Sequence, residues 1–148
     1  MKVIIGSDHG AVDLKKRLVR FLLAKGIEVK DQGVFDTVSV DYPDIAESVC
    51  REFLKNPYDF GILLCGTGIG ISISANKIPG IRCALIKDSF SARLAREHNN
   101  ANFLAFGGRV QYLEAVESMI EAYIGATFQG ERHQRRVSKV SGLEGSTK

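Results

Sequence analysis

The sequence predicts an α/β fold: one three-layer sandwich, with a five-stranded parallel sheet between two layers of helices. Three observations carry that expectation. Short apolar runs alternate with stretches in which apolar residues recur three and four apart, the signature of strands and helices in turn. Several of the runs are apolar throughout, as strands covered on both faces must be. The chain has 148 residues, 45% of them hydrophobic, which is enough for one domain with a substantial core.

Taken in order, residues 3–5 (VII) read as the first strand, and Leu14, Leu18, Phe21 and Leu22 mark the first helix. Residues 27–29 (IEV) are the second strand, and Ile45, Val49 and Phe53 mark the second helix. Residues 60–64 (FGILL) are the third strand, with a short helix over 67–76. Residues 83–86 (CALI) are the fourth, followed by a helix over 89–95. Residues 103–106 (FLAF) are the fifth, and Leu113, Val116, Ile120 and Tyr123 mark the last large helix. Right-handed crossovers leave few topologies, and strand order 2-1-3-4-5 is expected. A basic helical pattern over 130–141 falls outside the alternation, so it packs across the domain or reaches a neighbour. The domain is therefore drawn as 1–141, with a frayed, flexible tail over 142–148 (GLEGSTK).

Composition narrows the function classes. A net charge of +3 permits an anionic ligand but is no nucleic-acid footprint. No apolar stretch approaches the ~20 residues that span a bilayer, and the N-terminus has too short an apolar core for a secretory signal. No membrane association is expected, and a cytoplasmic enzyme or binding domain is. Three cysteines, at 50, 65 and 83, form neither a disulfide framework nor a zinc knuckle. The three histidines lie far apart in the chain, none spaced with a carboxylate or thiol as metal ligands are, so neither metal nor cofactor is expected.

In a doubly wound sheet, ligands sit at the carboxyl ends of the strands. Those ends carry Gly6-Ser7-Asp8-His9, Cys65-Gly66-Thr67, Lys87-Asp88 and Gly107-Gly108-Arg109. After the third strand, glycines stand at 66, 68 and 70. They suit a tight turn, and equally a loop whose N–H groups face a phosphate or a developing oxyanion. A dinucleotide site is a third reading, with Asp88 in the place of the ribose acid, but the third fingerprint glycine is Ile71. No P-loop ending is present either. Cys65 at the mouth of this loop is either core filler or a nucleophile or base, in a setting that favours thiolates. Asp8 is a good N-cap and His98 a natural helix-end residue, so both have structural readings. Arg132 and Arg136 share a helix face, as a solvated stripe or as a phosphate clamp.

Taken together, GSDH (6–9), DYPD (41–44), CGTGIGISISANK (65–77), REHNNANFLAFGGR (96–109) and GERHQRRV (130–137) resemble the type B ribose-5-phosphate isomerases and the related galactose-6-phosphate isomerase subunits. The likeness runs from about residue 1 to 140. Two small departures are Gly10-Ala11, where the family usually has Ala-Gly, and Ser74, where alanine is common. The resemblance implies a Rossmann-like domain forming a homodimer or homotetramer, with sites near the subunit interface. It implies metal-free aldose–ketose isomerisation of a small phosphorylated sugar. Cys65 would then be the base, with Thr67 close to the proton transfer. The N–H groups of Gly66, Gly68 and Gly70 would face the enediolate. His98 and Asp8 would assist ring opening, and Tyr42 and Asn99 would hold hydroxyls. His9, Arg109, Arg132 and Arg136 would surround the phosphate, some of them from the partner subunit.

Overall fold

The computed structural model describes residues 1–145. Five strands, β1 (Lys2–Ser7), β2 (Glu28–Asp31), β3 (Phe60–Cys65), β4 (Cys83–Leu85) and β5 (Phe103–Gly107), pair in parallel as one sheet. The helices between and after them are α1 (Val12–Ala24), α2 (Tyr42–Lys55), α3 (Ile69–Ala75), α4 (Ser89–Glu97), α5 (Val116–Ile124) and α6 (Glu131–Ser141).

Side chains alternate along each strand, and the two faces bury separate clusters. Val3, Ile5, Ile62, Leu64, Leu104 and Phe106 meet Leu18 and Leu22 of α1, Ala92 and Ala95 of α4, and Met119, Ile120 and Tyr123 of α5. Ile4, Leu63, Cys65, Phe103 and Ala105 meet Ala46, Val49 and Cys50 of α2, and Ile71 and Ala75 of α3. Thus α1, α4 and α5 cover one face and α2 and α3 the other. This two-sided cover is why β3 and β5 are apolar along their whole length.

The strand order is β2-β1-β3-β5-β4, not the expected 2-1-3-4-5. Residues of β5 are buried throughout and pair with β3 from Gly61↔Phe103 to Cys65↔Gly107. By contrast β4 has three residues, two of them only half-buried, and pairs with β5 alone. A long strand with no exposed position belongs inside the sheet, and the short, partly exposed one belongs at its edge. The last large helix also begins later than expected: Leu113 is wholly exposed in the segment before α5. Side chains from that segment are committed elsewhere, Tyr112 Oη accepting from Gly107 N–H and Glu114 accepting from Ser89 N–H at the start of α4.

After α6, the N–H groups of Gly142, Leu143 and Glu144 bond back to the carbonyls of Ser138, Val140 and Ser141. Residues 146–148 of the expected flexible tail lie outside the described residues. Among the described residues, no helix is long and apolar enough to cross a membrane.

Candidate active site

At the end of β1, Asp8 is buried and its Oδ1 accepts from Gly10 N–H at 2.8 Å, opening a single 3-10 turn over His9–Ala11. Its own N–H donates to Leu64 O at 3.0 Å, which ties this corner to β3. His9 Nδ1 accepts from Val40 N–H at 3.3 Å. A ring nitrogen that accepts carries no proton, so the neutral imidazole holds its proton on Nε2.

Cys65 closes β3, 4% exposed, and its Sγ accepts from Gly68 N–H at 3.1 Å. Gly68 has φ +78°, and a Cβ there would stand 2.7 Å from Leu85 Cδ1 and 2.8 Å from the Phe106 carbonyl carbon. Both its conformation and its space require glycine. That turn folds the chain back so that its N–H reaches the sulfur. Thr67, on the exposed side, accepts from Ile69 N–H at Oγ1 (3.3 Å), which leaves its hydroxyl proton free to donate outward.

The end of β5 is stitched to this loop. Gly108 N–H donates to Cys65 O at 2.8 Å and Arg109 N–H to Gly66 O at 2.9 Å. The Arg109 side chain lies over Gly66, and the Tyr42 ring lies against Gly70, where a Cβ would fall 2.6 Å from Cζ. A Cβ on Gly10 would be 3.1 Å from Gly66 N. One carboxyl-end cluster therefore gathers Asp8, His9, Tyr42, Cys65, Gly66, Thr67, Gly68, Gly70 and Arg109.

His98, Asn99, Arg132 and Arg136 stand elsewhere. α4 runs back from the carboxyl end of β4, and His98 caps its far terminus. Asn100 follows with φ +43°, and its carbonyl accepts from the Arg82 guanidinium just before β4. These residues thus lie at the amino-terminal edge of the sheet, and within one chain Asp8 and His98 do not meet. There α6 joins them. The His98 and His133 rings stack with centroids 4.2 Å apart, and Arg132 Nε–H donates to His133 Nε2 at 3.3 Å. His98 and His133, with Asn99 and Arg136, line a cleft of about 1030 Å³ beside the β4 edge, and Arg132 is not part of its lining.

His133 is the residue that sequence reasoning missed. It is buried, and burial pushes its imidazole below the ordinary histidine range, with His98, Arg132 and Arg136 adding to the effect. A signal for it existed: His133 and Val137 are four apart and are the two buried positions of α6, so the histidine sits on the inward face.

The other two cysteines are core residues. Burial pushes the Cys50 thiol up to about 12, and Cys83 up as well, with Cys50 adding to the latter. Asp88 accepts from Ser91 N–H at 2.6 Å and caps α4, which holds its carboxyl below the usual range. Among the described residues, no three His, Cys, Asp or Glu side chains gather as a metal site would.

A family described as Ribose/Galactose Isomerase matches residues 3–140. The chain is 43% identical over 143 residues to ribose-5-phosphate isomerase B of Escherichia coli, covering 97% of this chain and 96% of the relative. It is 37% identical to galactose-6-phosphate isomerase subunit LacB of Clostridium acetobutylicum, covering 94% and 80%. Among solved structures, ribose-5-phosphate isomerase B of Clostridium thermocellum is similar at 47% identity and TM-score 0.93, covering 97% of both chains. That of Thermotoga maritima is similar at 48% identity and TM-score 0.91, covering 95% and 97%. Every residue of both clusters falls inside the matched span, and the chain belongs to the ribose/galactose isomerase family.

Proposed function

We propose that this protein interconverts ribose 5-phosphate and ribulose 5-phosphate, with Cys65 as the base. The observation that carries the reading is the Cys65 sulfur held at the glycine loop, with Gly68 N–H on it, Thr67 in the same loop and the Arg109 side chain over Gly66. The Cys65 thiolate takes the proton from C2 of the open-chain aldose. The C2–H electron pair becomes the C1=C2 bond, and the carbonyl electrons move onto O1. The N–H groups of Gly66 and Gly70 and the Thr67 hydroxyl face that developing charge, the kind of help a weak carbon acid needs, while Gly68 N–H, expected to join them, is on the Cys65 sulfur instead. The same proton returns to C1 and the O2 proton passes to O1, so substrate and product have one formula. Asp88 is occupied as a cap and a nucleotide module has no use for Cys65, so the nucleotide-binding reading is the weaker one.

The site is completed by a second copy of the chain. The carboxyl-end cluster holds the base and the opposite-edge cluster holds His98, Asn99, Arg132 and Arg136. One substrate reaches both only across a homodimer, in which the partner supplies ring opening and the phosphate clamp. Dimers of this kind, alone or paired as tetramers, act in the cytoplasm under this proposal. The galactose-6-phosphate relative keeps a second substrate class in view. A coupled assay of ribose 5-phosphate against allose and galactose 6-phosphates tests the choice. Preference for either hexose phosphate in kcat/KM would replace the pentose assignment.

A further inference from the structure

Residues 32–41 join β2 to α2 without regular structure. Its start is fastened by Gln32 N–H to Ile5 O at 2.8 Å and Val34 N–H to Ser7 O at 3.4 Å. Its end is fastened by Val40 N–H on His9 Nδ1 and by the Tyr42 ring against Gly70. Between these points lies Phe35, 63% exposed, with its ring over Lys15 Nζ at 4.1 Å. Lys15 is 0% exposed in α1 and pairs with Asp31 Oδ1 at 2.6 Å.

The combination is unusual. A phenyl ring left mostly in water is not held by burial, yet this one forms the cover over a buried ammonium. Asp31 takes one N–H of that ammonium, and the Phe35 π face meets the cation from another side. Charge against quadrupole is the force available, and it is strongest where the cation is already stripped of water.

We propose that Phe35 and Lys15 are a latch that sets the course of the 32–41 segment, making both of them positioning residues for His9. The latch holds Val40 N–H on Nδ1. That bond orients the ring and keeps its proton on Nε2, facing outward as a donor. The inference rests on the reading of His9 as a phosphate ligand, since that is the step at which the latch reaches turnover.

The test compares Phe35→Leu with Phe35→Tyr. Leucine keeps an apolar side chain and loses the π face; tyrosine keeps it. Because residue 35 is mostly exposed, neither change disturbs the core. Phe35→Leu is expected to raise KM for ribose 5-phosphate roughly three- to tenfold, the scale of a cation–π contact, with kcat unchanged and Tm lowered by no more than a few degrees. Phe35→Tyr is expected to match wild type. In parallel, ¹⁵N spectra of the His9 imidazole in substrate-free protein should show one tautomer in wild type and Phe35→Tyr, and a mixture in Phe35→Leu. A Phe35→Leu protein with wild-type KM and a single His9 tautomer overturns the latch. So does a Phe35→Tyr protein as impaired as Phe35→Leu. Should wild type fail to turn over ribose 5-phosphate, the proposed function falls, while the His9 spectra still decide the latch.

Discussion

The imidazoles of His98 and His133 lie face to face, 4.2 Å between centroids and 7° from parallel, where α4 ends and α6 passes. Arg132 donates to His133 Nε2, so His133 is neutral with its proton on Nδ1. Its native pKa lies below the ordinary value of about 6.5. Above that ordinary value neither folded nor unfolded chain is protonated here, and the residue adds no pH dependence. As pH falls through it, the unfolded chain takes up the proton first and native stability drops, until the native pKa is passed. His133→Phe keeps a flat ring against His98 and has no proton to gain. Its Tm should therefore fall less steeply than that of wild type between about pH 7 and 5. Equal slopes would remove His133 as the source.

Cys65→Ala should lower kcat by ~10²–10⁴-fold, the usual share of a placed base. Binding of ribose 5-phosphate, measured by calorimetric titration, should persist. A variant that still turns over at the wild-type rate would show that the sulfur is not the base.

A two-chain site makes a further demand. Cys65→Ala and Arg136→Ala disable opposite halves of the proposed site, and each alone should be nearly inactive. Mixed, unfolded and refolded together, half of the dimers should be heterodimers with one intact site each. Activity should then return to about a quarter of wild type. No recovery on mixing would place both residues in one chain's site.

Gly70→Ala sets a methyl group against the Tyr42 ring, at a position 2.6 Å from Cζ. The ring must swing away, so KM should rise while the fold survives. Adding Tyr42→Ala should relieve the clash without restoring KM. Kinetics of the single and double variants check this.

Tyr112 Oη satisfies Gly107 N–H at 2.8 Å, where β4 has already ended and offers no carbonyl. Tyr112→Phe leaves that N–H orphaned beside Gly68 and Thr67, at a cost of about 1–3 kcal/mol. Denaturant unfolding should register the loss, and an unchanged midpoint would contradict it.

How much of this was legible beforehand depended on what kind of information each feature needs. Local pattern sufficed for the elements: apolar runs at 60–64 and 103–106 became β3 and β5, and the three- and four-residue spacing of Leu14, Leu18 and Leu22 became α1. Order within the sheet is not local. CALI and FLAF look alike as strings, and their difference in burial emerges only when β5 is set between β3 and β4. Leu113 fits a helical period by spacing, while the bonds made by Tyr112 and Glu114 keep its segment out of α5. Asp8 and His98 appear together in the motif reading, yet α4 carries the second away to the other edge of the sheet. His133 went unnoticed because a stacking partner thirty-five positions earlier leaves no trace in local spacing.

The inner placement of β5 also bears on how the protein breathes. Strands β1, β3 and β5 form a continuous ladder without β4, so the outermost strand can detach while the middle of the sheet stays whole. Amide deuteration should then reach 83–85 well before 60–65 or 103–107, and the cleft beside α6 would loosen in that same opening while the Cys65 corner remained shut.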